Sequence, residues 1–227
     1  MKQKIIIFDA STLINFSMNG LYEEIRKLKE IFNGKFLITN DVKEEIINYP
    51  IKKKKFELEA IRLNNLLKEG VIELPKSLKV NEKKIQNKTY SIMDEVNSIF
   101  KDSQGEDIKI IHKGEASIVA LAEILKQRNY EIVLSIDERT MRVLIEKPSN
   151  LKKLLERKLK TRLKLNKKIS NKFKGLNVIR SSEIVYIIYK KGLMKKSKKL
   201  LDALLWAVKT KGCSITHEEI EEIKRIG

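Results

Sequence analysis

Four acidic positions stand where an apolar run has just ended or a small-residue stretch begins. They are Asp9 after Ile5-Ile6-Ile7-Phe8, the Glu44-Glu45 doublet after Phe36-Leu37-Ile38, Glu115 in Gly114-Glu115-Ala116-Ser117, and Asp137 after Ile132-Val133-Leu134-Ser135-Ile136. Carboxylates brought close together repel and push one another's pKa upward, and a divalent cation relieves that repulsion. Oxygen donors alone suit Mg²⁺ or Mn²⁺ better than zinc, which prefers nitrogen and sulfur. A centre of that kind activates water for in-line attack on a phosphodiester. Taken singly, each acid has a plainer reading. Asp9 and Asp137 suit turns and helix caps, and Glu115 suits the positive end of a helix dipole. The chemistry exists only if the fold gathers them.

The elements that must do so are legible in outline. Lys4–Phe8 is a run of β-branched and aromatic residues without polar alternation, as in a strand buried on both faces of a parallel sheet. Open α/β sheets place ligands at the carboxyl ends of their strands, where Asp9 then falls. Asn19-Gly20 opens an amphipathic helix that stops at Asn33-Gly34, and 35–39 is a second short strand. Asn40 or Asp41 is expected to cap the next helix, with Glu44 completing a capping box, and the helix ends at Tyr49 before Pro50. Helices are expected over 52–69 and 82–100, with a short edge strand at 71–74 and a mobile polar loop at 101–107. Gly114 opens a small-residue helix suited to packing on a sheet, and Glu131–Ile136 is the clearest strand after the first. Residues 151–174 are expected to form a basic helix with Leu151, Leu155, Leu159 and Leu163 along one side. A last strand at 176–179 leads to a helix capped by Ser181 or Ser182, then a core-facing helix over 198–211. Thr216-His217-Glu218-Glu219 is a capping box for the terminal helix.

Composition bounds the answer. The 227 residues, 42% hydrophobic and 34% charged, describe a globular chain of one or at most two domains. No apolar stretch approaches the ~20 residues of a membrane span, and Asp9 interrupts the first apolar run too early for a signal peptide. The single cysteine, Cys213, excludes an intrachain disulfide and a thiolate zinc site, so a cytoplasmic protein without membrane contact is expected. Of the net charge of +18, residues 151–174 contribute +10, from eleven basic residues against one acidic. Such a strip points to a polyanionic partner, nucleic acid first. There is no Gly-x-Gly-x-x-Gly after the first strand and no Walker sequence. His217-Glu218 lacks the second histidine of a zinc protease. A phosphotransferase nucleophile at Asp9 would want another Asp two residues on, where Ser11 stands.

The motifs Phe8-Asp9-Ala10-Ser11-Thr12-Leu13-Ile14-Asn15, Val42-Lys43-Glu44-Glu45-Ile46, Gly114-Glu115-Ala116-Ser117 and Ser135-Ile136-Asp137 resemble, in order, those of the PIN-domain nucleases. That family includes VapC-like toxins and RNA-processing endoribonucleases. The resemblance covers most of the chain, outside 52–107 and 151–174. It implies a three-layer α/β/α sandwich with a central, mainly parallel sheet. The domain would span 1–227, with a helical insertion around 52–107 and a basic helical insertion at 151–174.

On the same resemblance, Asp9, Glu45, Glu115 and Asp137 form a catalytic acidic tetrad holding Mg²⁺ or Mn²⁺. Ser11 and Asn15 orient it, and Glu138 assists. Glu44 remains an alternative to Glu45; the family's spacing from Val42 favours Glu45. The implied activity is a metal-dependent endoribonuclease acting on single-stranded or structured RNA, with Arg139, Arg142, Lys160, Lys164, Lys167 and Lys168 holding the phosphate backbone. A homodimer is implied by resemblance alone. Two alternatives stay open: an RNA-binding or scaffolding subunit that cuts little, and a toxin–antitoxin partner whose basic segment docks an acidic protein.

Overall fold

The computed structural model describes residues 2–168, 173, 175–195 and 197–226. Its centre is a fully parallel sheet of four strands, β1 (Lys4–Phe8), β2 (Gly34–Leu37), β4 (Glu131–Ser135) and β6 (Asn177–Ile179). They lie in the order β2-β1-β4-β6. Ile5, Ile7 and Phe8 are buried, as an unalternating apolar strand between two neighbours requires. Gly34 faces Lys4 across the β1–β2 pairing, and a β-carbon there would lie 2.2 Å from the Lys4 carbonyl oxygen. Only glycine allows β2 to start at that register.

Helices cover the sheet in a manner compatible with three layers: α1 (Ala10–Met18), α2 (Tyr22–Ile31), α3 (Asn40–Lys43), α4 (Glu57–Lys68), α5 (Glu82–Asn97), α6 (Lys113–Gln127), α7 (Arg139–Glu146), α8 (Leu151–Leu159), α9 (Ser181–Lys190), α10 (Lys198–Thr210) and α11 (His217–Ile226). The chain leaves β1 toward β2 on one side, and its later strands lie on the other, so the path reverses between β1 and β4. In open α/β sheets the carboxyl ends of the strands at such a switch point are where ligands bind. α6 packs against β1 and β4, and its Ala116, Ala120 and Ala122 are buried. α4 and α5 contribute Leu63, Leu66, Ile85, Ile92 and Val96 to the same continuous core, so 52–107 is part of its support.

Five local expectations are corrected. α3 is capped by Thr39, whose hydroxyl accepts from the Val42 amide at 3.2 Å, and not by Asn40 or Asp41. Neither Ser181 nor Ser182 caps α9; both lie inside its first turn, buried, and Arg180 holds the cap position with Glu183 accepting from its amide. The edge strand at 71–74 reduces to one parallel bridge, Leu37 to Glu73. The 101–107 loop is tied down: Lys101 bridges Asp107, and Asp102 accepts from the amides of Gln104 and Glu106.

The fifth concerns the basic segment, which is not one helix. α8 ends at Leu159 because Lys160 turns left-handed, with φ 53°, and the Leu163 amide then folds back onto Glu156. β5 (Lys164–Leu165) next pairs antiparallel with β3 (Phe100–Lys101). Leu151 and Leu155 are buried on α8 and Leu163 after the turn, but Leu159 is exposed. Residues 169–172 and 174, including Lys172 and Lys174, lie outside the described residues.

Candidate active site at the carboxyl edge of the sheet

Asp9 and Asp137 stand on either side of the β1–β4 switch point, and both are buried, at 4% and 1% exposure. The Asp9 amide donates to the Ser135 carbonyl at 2.9 Å, which continues the β1–β4 ladder to the acid itself. Asp9 also caps α1. Its Oδ2 accepts from the Ser11 amide at 3.1 Å and the Ser11 hydroxyl at 2.5 Å. Ser11 in turn accepts from the Asp137 amide at 3.2 Å, so one hydroxyl joins the two strand ends. Burial pushes the Asp9 carboxyl above the usual carboxylate range. The Ser11 bonds and the Ala10 amide pull it back, and the neighbouring Asp137 charge adds to the rise.

Asp137 is held from three elements. Its Oδ2 accepts from Asn15 Nδ2 on α1 at 2.9 Å, and its Oδ1 from the Ser181 amide at the start of α9 at 2.8 Å. Its carbonyl accepts from the Ser214 amide at 3.1 Å. Asn15 Nδ2 also reaches the Val208 carbonyl on α10 at 2.8 Å.

Glu45 arrives by a different route. After α3 the helix widens into a π-turn over Glu44–Asn48, closed by the Tyr49 amide on the Glu44 carbonyl at 3.0 Å. Such turns re-aim side chains and recur at functional sites. Glu45 comes against Gly114, where an added β-carbon would lie 2.6 Å from Glu45 Oε1. Burial raises its pKa, the Asp9 charge adds to that, and the Gly114 backbone lowers it. Glu44 and Glu45 are both partly open to solvent, but Glu44 pairs with Asn48 on its own turn. Two further bonds fix the approach: Thr39 to Ser117 at 2.6 Å, and Lys113 to Asp41 at 2.8 Å. Both press α3 onto the start of α6.

Glu115 occupies the first turn of α6 and accepts from the His112 amide at 2.7 Å, which is the capping role. It nonetheless feels the rest of the edge. Burial first, then the charges of Asp9, Glu138 and Glu45, push its carboxyl up to about 8 against the pull of the His112 amide. Glu138 caps α7 through the Met141 amide at 2.7 Å and meets Lys158 of α8 at 3.4 Å. Asp9, Glu45, Glu115, Glu138 and Asp137 therefore form one linked electrostatic neighbourhood. Among the described residues, no three His, Cys, Asp or Glu side chains stand as a ready-made metal cage. Glu115 and Glu138 are folded back onto backbone amides, as mutually repelling carboxylates do when local donors are within reach. The donor set is all oxygen and suits a hard divalent cation.

Of the residues expected to grip phosphate, Arg139, Lys160, Lys164, Lys167 and Lys168 are exposed. Arg142 is not available. Its guanidinium turns inward to Ser214 Oγ at 2.9 Å, the Ser214 carbonyl at 3.1 Å and Glu146 at 3.2 Å. A position on an amphipathic helix could not reveal that partner 72 residues away. Sequence reasoning also missed Thr39, Ser117 and Lys158. The first two carried a signal, since each is a hydroxyl at a helix start.

The raised Glu115 carboxyl makes stability depend on pH. Glu115 ionises near 4.5 in the unfolded chain and near 8 in the fold. Between those values the unfolded chain releases a proton that the fold retains, so stability falls as pH rises through that window. Glu115→Gln keeps an oxygen for the His112 amide and removes the titration. Urea denaturation at several pH values is expected to give the variant a flatter profile from pH 4.5 to 8 and more stability than the parent at the upper end. A parallel profile would place that proton elsewhere.

No family model, no curated protein and no solved structure matches the chain in comparisons with known proteins.

Proposed function

We propose that the chain is a PIN-like, metal-dependent endoribonuclease whose active centre is the acid edge at the β1–β4 switch point. One observation carries the reading. Asp9 and Asp137 follow the two strands at the switch point, the place where open α/β sheets bind ligands, and Glu45 and Glu115 are electrostatically tied to Asp9. The resemblance of the four motifs to PIN-domain nucleases agrees with that placement.

Asp9, Glu45, Glu115 and Asp137 would hold Mg²⁺ or Mn²⁺. When bound, such an ion supplies charge that activates water and offsets charge developing on the phosphate. The chain's own residues set the stage for that. Ser11 fixes the Asp9 carboxylate and the Asp137 backbone in one register. Asn15 and the Ser181 amide fix the buried Asp137 carboxyl by donating to its two oxygens. Burial and the neighbouring charges raise the Glu115 carboxyl to about 8, so holding a cation there would release its proton. Exposed Arg139 and the α8–β5 lysines lie toward solvent, where a phosphate backbone would run.

The capping roles of Glu115 and Glu138 favour one other reading, an RNA-binding subunit that does not cut. Metal titration addresses the centre directly. Mn²⁺ is expected to raise the melting temperature by mass action, with tighter binding and proton release as pH rises toward 8. In Asp9→Asn/Glu45→Gln the shift should largely vanish. Equal shifts in both proteins would put the ion elsewhere and remove the basis for a metal-dependent enzyme.

A further inference from the structure

The acid edge accounts for Glu45 but not for the segment downstream of it. Beyond the π-turn the chain runs Tyr49-Pro50-Ile51-Lys52-Lys53-Lys54-Lys55-Phe56 before α4 begins at Glu57. All four consecutive lysines are exposed. So are the aromatic rings at both ends, Tyr49 at 60% and Phe56 at 45%. Large rings left in water forgo the burial that normally stabilises them. Here each carries a cation on or near its face. Lys53 Nζ lies 4.1 Å from the Tyr49 ring centre, and Lys55 Nζ 5.2 Å from that of Phe56.

The segment is ordered by successive tight turns. The Lys53 amide donates to the Pro50 carbonyl at 2.8 Å and the Phe56 amide to the Lys53 carbonyl at 2.8 Å. Lys54 meets Glu57 at 2.8 Å, a pair on the solvent side that neutralises one charge of the four.

We infer that Tyr49–Phe56 is a binding strap for single-stranded nucleic acid, with lysines on its phosphates and Tyr49 and Phe56 stacked on unpaired bases. Exposed rings interleaved with cations are what non-sequence-specific single-strand binders use, because every base has a face to stack on. A protein partner fits less well, since interface cores are depleted in lysine. A duplex fits less well too, because its bases are already stacked on each other. The strap begins four residues after Glu45 in the chain. Lys158 meets Glu138 of the acid edge, and the other described basic residues of α8 and β5 are exposed. The strap's position in a cutting enzyme rests on the nuclease reading; its binding chemistry does not.

The test uses the full chain carrying Asp9→Asn, so that bound RNA stays whole. The probe is a short, unstructured, fluorescein-labelled RNA, alone or annealed to its complement, followed by anisotropy at several salt concentrations. Tyr49→Ala/Phe56→Ala is expected to weaken single-strand binding by about thirtyfold or more, with the salt slope unchanged and the duplex little affected. Replacing Lys52, Lys53, Lys54 and Lys55 with Gln should reduce the slope of log affinity against log salt by ~0.7 for each phosphate no longer neutralised. Unchanged single-strand affinity in both variants overturns the proposal. Equal weakening on single strand and duplex in the ring variant overturns it as well, because stacking would not be what was removed. The Mn²⁺ melting shift, measured in the same strap variants with Asp9 intact, separates the two readings. A strap effect with no Mn²⁺ shift in the parent sinks the nuclease centre alone, and a Mn²⁺ shift with no strap effect sinks the strap alone.

Discussion

Replacing Asp9 with asparagine is expected to abolish the proposed Mn²⁺- or Mg²⁺-dependent cleavage of single-stranded RNA and to leave the fold intact. Asparagine is nearly isosteric, and its side-chain oxygen still accepts from the Ser11 amide and hydroxyl that now bond Asp9. The cap of α1 therefore survives. What disappears is a negative charge that burial already disfavours, so stability should hold or rise slightly. Changing groups that merely support metal ligands costs roughly 10–100-fold in activity or affinity, and loss of the central charge should exceed that range. Glu45→Gln should take the same course, and Glu44→Gln should do little, because Glu44 points to its own turn while Glu45 faces Gly114 and the Asp9 charge. Gel assays on highly purified proteins decide it. Full activity in Asp9→Asn would remove Asp9 from the chemistry, and the reverse order for the glutamates would reassign the second ligand.

How much of this was legible depended on the distance over which each feature is determined. β1 announces itself because five residues between two neighbouring strands have no polar face to show, and the acid ending such a strand must lie at the sheet's carboxyl edge. The same logic places Asp137 through β4, and Gly114 through the helix that has to pack close. Local rules misled where two of them competed. Leucines at every fourth position argue for a helix through Leu163, but the chain breaks at Lys160 and buries Leu163 from a turn instead. Asn40 and Asp41 are good caps, yet Thr39 takes the cap because its hydroxyl also reaches Ser117 across the sheet edge. Other features have no local signature at all. Asn15 meets Asp137 at a separation of 122 residues and Val208 at 193. The π-turn that aims Glu45 leaves no mark in the apolar pattern, because Ile46 and Ile47 are buried within it.

Those long-range bonds to Asn15 set the second large effect, on stability rather than activity. Asn15 is fully buried at the meeting of α1, β4, α9 and α10. Its amide nitrogen donates to Asp137 Oδ2 and the Val208 carbonyl, and Ser181 Oγ stands 3.3 Å away. Its own oxygen accepts from Asn19 Nδ2 at 2.8 Å. Asn15→Ala leaves a buried carboxylate with one of its oxygens stranded and a buried carbonyl without a donor. Each stranded group costs about 1–3 kcal/mol, more when it is charged, so a total of about 3–5 kcal/mol is expected. That is a large share of the 5–15 kcal/mol typical of a domain. Urea denaturation measures it. Adding Asp137→Asn to Asn15→Ala removes the stranded charge, so the double variant should lose clearly less than the sum of the two single losses. A cost for Asn15→Ala below about 1 kcal/mol, the size of one ordinary hydrogen bond, would mean that water replaces the amide and that Asp137 holds its place without Asn15.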